Sequence, residues 1–150
     1  MRSRSQVAFL VLVLLQSGHS VEEYATKLYE VFTPARFVSG LVSDDLSTGF
    51  LIVNAGLVAF GIWCYVSPVR SGWPSARGLA WFWVVLELGN GVGHLVLAAF
   101  RGGYFPGVAT APLLILAAIG LGVLMLRVPK GTVSARCAAR VTGVRAAEDE

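Results

Sequence analysis

The chain has 150 residues, 55% of them hydrophobic and 14% charged, with a formal net charge of +3. That balance argues against a water-soluble globule and describes one small domain solvated by lipid. The basic residues gather at the ends of apolar runs and in the C-terminal tail, as membrane flanks do, which argues against a nucleic-acid partner.

Residues 6–29 read as a first membrane-spanning helix. Arg2 and Arg4 before the apolar run Val7 to Leu15, with Gly18 and Ser20 after it, also fit a cleaved secretory signal. The helical pattern continues through Val21, Tyr24, Leu28 and Val31, however, which favours a retained helix. His19, Glu22 and Glu23 share one side of it.

Thr33-Pro34 ends this helix, because proline lacks an amide hydrogen and disfavours helical geometry in the residue before it. Residues 35–48 read as a loop whose Ser43-Asp44-Asp45 run can cap the next helix. The second span, 50–66, carries Asn54 in its first turns. A connector follows at 67–77, and Trp63, Tyr65, Trp73, Trp81 and Trp83 around it form an expected interfacial belt.

The third span, 78–100, contains Glu87-Leu-Gly-Asn90-Gly-Val-Gly-His94. At 3.6 residues per turn, Glu87, Asn90 and His94 fall within about 60° of one another and form a polar face. Gly89 and Gly93 make a small-xxx-small pair on another face, where a neighbouring helix can approach. Gly91 leaves room for a ligand or another backbone. A tight turn with Arg101 and Tyr104 leads to the fourth span, 108–128, and residues 131–150 read as a mobile tail.

Positive charge sets the expected orientation. Arg2, Arg4, Arg70, Arg77, Arg127, Lys130, Arg136, Arg140 and Arg145 fall on one side, against Lys27, Arg36 and Arg101 on the other. The expectation is an all-α bundle of four transmembrane helices with both termini, and the tail, in the cytoplasm. His19, Glu22, Glu23, Asn54, Asn90, His94, Tyr104 and Thr110 then share the outer half of the bilayer, with Glu87 near the midplane.

Ionisable side chains at membrane depth cost about 2.5 kcal/mol or more unless paired, hydrated or bound to metal, so such a cluster reads as a functional site. Imidazole and carboxylate ligate zinc, iron or manganese. His19 and Glu23, at i and i+4, can reach one divalent ion together, with His94 as third ligand from a facing helix. Glu22 is then available as a base, with Glu87 and Asn90 as further catalytic candidates. Asn54, Arg101 and Tyr104 are candidates to orient substrate, Arg101 through an anionic group. Neither HExxH nor the paired Glu-x-x-His of di-iron bundles occurs. The two cysteines, Cys64 and Cys137, have no zinc-module or disulfide spacing and read as free thiols.

His19-x-x-Glu22-Glu23, Asn90-x-x-x-His94 and Tyr104-x-Pro106-Gly107, in that order within four apolar spans, resemble the family of small bacterial membrane proteins named for its HxxEE motif. The resemblance covers roughly residues 10 to 128. It implies a multi-pass protein of the bacterial inner membrane, suspected of being an enzyme, with no established reaction.

The favoured expectation is metal-dependent hydrolysis of a hydrophobic, lipid-like substrate reached from the bilayer. Three alternatives stay open: metal-free acid/base isomerisation or cyclisation with Glu87 or Glu22 kept protonated, proton or cation transport or binding, and a purely structural polar lock. Four short spans with no internal repeat argue against a transporter acting as a monomer, a reading that a homodimer would reopen.

Overall fold

A computed structural model describes Met1 and residues 3–127. These residues form helices and turns, with no strand among them. Helix α1 spans Ser3–Ala25, α2 Leu28–Val31, α3 Thr33–Gly40, α4 Leu46–Cys64, α5 Ala76–Arg101 and α6 Ala111–Leu126. A π-helical turn, Tyr65–Val69, extends α4 through Pro68. The expected tail at 131–150, Cys137, and Arg2, Lys130, Arg136, Arg140 and Arg145 of the charge argument lie outside the described residues.

Local chemistry sets the boundaries. The Asp45 carboxylate accepts from the Thr48 N–H at 3.0 Å and caps α4. Gly102, at φ 66°, takes the left-handed conformation that ends α5. Two boundaries differ from expectation. The first helix stops at Ala25 rather than running to residue 29, because Lys27 adopts φ 58° and the chain turns there before α2. The 35–48 segment is not wholly loop, since Pro34 sits in the first turn of α3, where its missing N–H costs nothing.

Of the four expected spans, Leu46–Val69 and Ala76–Arg101 are long and apolar enough to cross a membrane. Helix α6 is apolar but has 16 residues, short of the roughly 20 that a hydrocarbon core requires. Helix α1 has 23 residues but devotes several to Gln16, His19, Glu22 and Glu23.

The main core is built from α1, α5 and α6: Phe9, Leu12 and Val13 meet Ala80, Trp83 and Val84 of α5 and Leu114, Ala118 and Leu121 of α6. Trp83 therefore belongs to the core, fully buried against Phe9, and not to an interfacial belt. Gly91 admits the α6 backbone, since a Cβ there would lie 3.0 Å from the Ala111 carbonyl oxygen. No atom of another helix among the described residues comes within 4 Å of a Cβ placed at Gly89 or Gly93, so the pair mediates no close helix approach within them. Helix α4 packs on α1 and α3 and meets α5 near its own C-terminal end, where Phe60 stacks on Trp83 at 6.0 Å. A cleft otherwise opens between α4 and α5. At one end of the bundle a second cluster, Leu28, Tyr29, Phe50 and Phe105, supports the polar residues described next.

Candidate metal centre

Three expected ligands converge. His19 and Glu23 project from one face of α1, and His94 reaches them from α5. Glu23 Oε1 lies 3.3 Å from His19 Nε2 and 3.0 Å from His94 Nε2. One oxygen thus sits between two imidazoles, whose ring centroids are 4.7 Å apart at an interplanar angle of 80°. One ligand atom from each residue falls within 4.8 Å of the others, and all three side chains are buried. Ligand atoms about 2.0–2.1 Å from a shared tetrahedral ion are separated by about 3.3 Å; the two contacts to Glu23 match that separation, and the two imidazoles would draw closer around an ion.

The proton on His19 follows from its other nitrogen. Thr110 Oγ1 lies 2.6 Å from His19 Nδ1 and 2.6 Å from Glu22 Oε2. The carboxylate only accepts, so the Thr110 hydroxyl donates to Glu22 and accepts from the His19 Nδ1–H. In the neutral imidazole Nε2 then carries a lone pair, turned towards Glu23 Oε1 without a hydrogen bond. Two lone pairs facing each other at 3.3 Å require a proton or a cation between them.

Glu22 differs from expectation. It is not free to act as a base, because four donors occupy it: the Tyr104 O–H at 2.7 Å, the Ala109 N–H at 3.1 Å, and the Thr110 N–H and O–H at 2.9 and 2.6 Å. It ties the α5–α6 loop to α1. Partial burial and the bond to Glu22 both raise the Tyr104 phenol above its ordinary range, which keeps that donor protonated. Tyr104 thereby acts as an anchor of the loop.

The loop closes over the imidazoles at Gly107. Its φ is 89°, and a Cβ there would lie 2.7 Å from His94 Nδ1 and 2.9 Å from His19 Cε1. Phe105, buried, packs 5.7 Å from the His94 ring.

Asn90 Oδ1, 3.2 Å from His94 Nε2, and Glu23 Oε1, 3.0 Å from it, both accept, so this nitrogen carries the His94 proton that a bound ion would displace, and Asn90 lies beside the centre. Glu87 is fully buried, and neither of its oxygens has a hydrogen-bond partner among the described residues. Asn54 lines the α4–α5 cleft and accepts from Ser20 Oγ at 2.8 Å. Arg101 is exposed and lies over the Phe105 ring at 5.4 Å, outside the centre. Glu23, Glu87, Asn90 and His94 all line the α4–α5 cleft, whose volume is about 590 Å³.

Thr110 and Gly107 have roles that the sequence reading leaves unassigned. The expected depth of Thr110 and the Tyr104-x-Pro106-Gly107 run are the available signals, and neither indicates contact with an imidazole.

Residues 8–120 match the model of a family described as proteins of unknown function with an HXXEE motif. The chain belongs to this family. No curated protein and no solved structure matches it.

Proposed function

We propose that this HXXEE-family protein is a multi-pass integral membrane hydrolase of the bacterial inner membrane, in which His19, Glu23 and His94 hold one divalent metal ion. The observation that carries the reading is the arrangement of His19 Nε2 against Glu23 Oε1, 3.3 Å apart with no hydrogen bond between them. The Thr110–Glu22 pair behind His19 is the kind of outer partner that fixes the tautomer of a metal-bound histidine.

A bound divalent ion would supply Lewis acidity and lower the pKa of a bound water towards neutrality. The residues of the chain do the rest. Asn90, beside His94, orients a substrate carbonyl or phosphoryl group entering from the cleft. With Glu22 engaged, the proton acceptor is Glu23, whose contacts all run through Oε1 and leave its second oxygen available. The Gly107 loop keeps bulk water off the imidazoles from its side of the bundle.

Outward-facing apolar residues on four helices support membrane insertion: Leu14, Ile52, Phe100 and Leu116 are all exposed, Phe100 to 85%. In this arrangement α1 and α6 complete the bundle around the two longer apolar helices, with both termini in the cytoplasm and the α5–α6 loop outside. The substrate is hydrophobic and reaches the cleft from the bilayer.

The test uses detergent-purified protein and medium-chain fluorogenic carboxylic and phosphate esters. Turnover that disappears on chelation, returns with one added metal, and is absent from His19→Ala and Glu23→Gln supports the proposal. Turnover unaffected by chelation, or equal in both variants, overturns it.

A further inference from the structure

A second polar position lies in the same cleft, formed by Gln16 of α1 and Glu87 of α5. Gln16 and Glu87 each fall seven residues before a member of the metal centre on their own helix, Glu23 and His94, which is about 10 Å along the axis. Gln16 is 2% and Glu87 0% exposed.

The orientation of the Gln16 amide follows from a directed chain of hydrogen bonds. Asn54 Nδ2 donates to the Phe50 carbonyl at 3.1 Å, so Asn54 Oδ1 accepts from the Ser20 hydroxyl at 2.8 Å. With its proton spent, Ser20 Oγ accepts from Gln16 Nε2 at 3.1 Å. The remaining Gln16 atom is the carbonyl Oε1, which has no partner among the described residues. Both Glu87 oxygens are equally unpartnered. Three buried oxygens without a hydrogen-bond partner among the described residues therefore belong to residues that line one cleft, with Asn90, one turn on from Glu87, as a neighbouring amide. A buried polar atom left unsatisfied is costly, and a ligand that supplies donors recovers that cost.

We propose that Gln16 and Glu87 form a binding subsite for a primary ammonium group carried on an apolar tail. An ammonium offers three N–H donors and a positive charge, matching three oxygens of which two belong to a carboxylate. A hydroxyl would supply one donor and no charge. A carboxylate or phosphate would add acceptors to acceptors. Leu57, Val85 and Leu86 line the same cleft and receive the tail. As a statement about the substrate this rests on the hydrolase reading, since it makes the substrate an amphiphilic amine whose scissile group lies near His94. As a binding site it needs no ion.

The test measures binding of n-octylamine, n-octanol and octanoate to the full-length protein in detergent by native mass spectrometry. Wild type is expected to bind octylamine at least about tenfold more tightly than either competitor. Glu87→Gln removes that preference, and Gln16→Leu, which deletes one acceptor and keeps the site apolar, lowers octylamine affinity several-fold if the first variant does not fold. The His19→Ala/His94→Ala double variant retains the preference, which separates failure of the subsite from failure of the metal reading. Equal binding of the three amphiphiles by wild type, or an amine preference unchanged by both subsite variants, overturns the proposal. So does a preference lost only in the double histidine variant.

Discussion

Thr110 Oγ1 accepts the His19 Nδ1–H at 2.6 Å and passes its own proton towards Glu22, so a loop residue determines which imidazole nitrogen faces Glu23. Replacing Thr110 with Val preserves shape and removes this acceptor. The expected result is a loss of about 10- to 100-fold in metal affinity, measured by competition with a chelating dye, together with a lowered unfolding midpoint, because the His19 Nδ1–H and Glu22 Oε2 each lose a partner. Thr110→Ser restores affinity. Equal affinity in wild type and Thr110→Val would show that His19 needs no such partner.

Gly107→Ala tests the closeness of the loop to the imidazoles. A positive φ of 89° and the overlap of a Cβ with both histidines act together. The backbone conformation alone costs about 1–3 kcal/mol for a residue other than glycine. A lowered unfolding midpoint in detergent, accompanied by weakened metal binding, is expected. An unchanged midpoint would mean that the loop does not press on the ring edges.

Asp45 gives a pH prediction away from the centre. The Thr48 hydroxyl, the Ser47 hydroxyl and the Thr48 N–H, in that order, hold its carboxyl below the ordinary carboxylate range. A lowered folded-state pKa contributes stability that is fully present above the unfolded value of about 3.9 and is lost as pH falls through the folded value. The unfolding midpoint of Asp45→Ala should therefore lie below wild type near neutrality, with the difference closing as the solution is acidified. A difference that grows on acidification would contradict the capping role.

Orientation can be read with a single cysteine at Gly103, in a background lacking Cys64 and Cys137. A membrane-impermeant thiol reagent should label it in cells whose inner membrane is intact but whose outer barrier has been opened. Labelling only after the inner membrane is broken would place the α5–α6 loop in the cytoplasm and reverse the proposed topology.

His19, Glu23 and His94 were legible because their residue types are costly in apolar helices and their spacing puts each on a defined face. Helical periodicity carries that much without any tertiary information. Gly107 and Thr110 were not legible as parts of the centre, since a turn has no periodicity to show which side chains its backbone will touch. Glu22 illustrates the same limit: its place on the polar face follows from spacing, but its four donors come from residues more than 80 positions away. Trp83 was misplaced because an aromatic residue near a connector suits either an interface or a core. Its burial is settled by packing against Phe9, which spacing does not encode. The break at Lys27 depends on a left-handed conformation that the intact apolar pattern hides.

The most direct measurement of the central claim is the metal content of detergent-purified protein, wild type beside His19→Ala/His94→Ala, by inductively coupled plasma mass spectrometry. The account predicts close to one equivalent of zinc, iron or manganese per wild-type chain and almost none in the double variant. Wild-type protein that stays empty after incubation with each ion, or equal metal in both proteins, would contradict it.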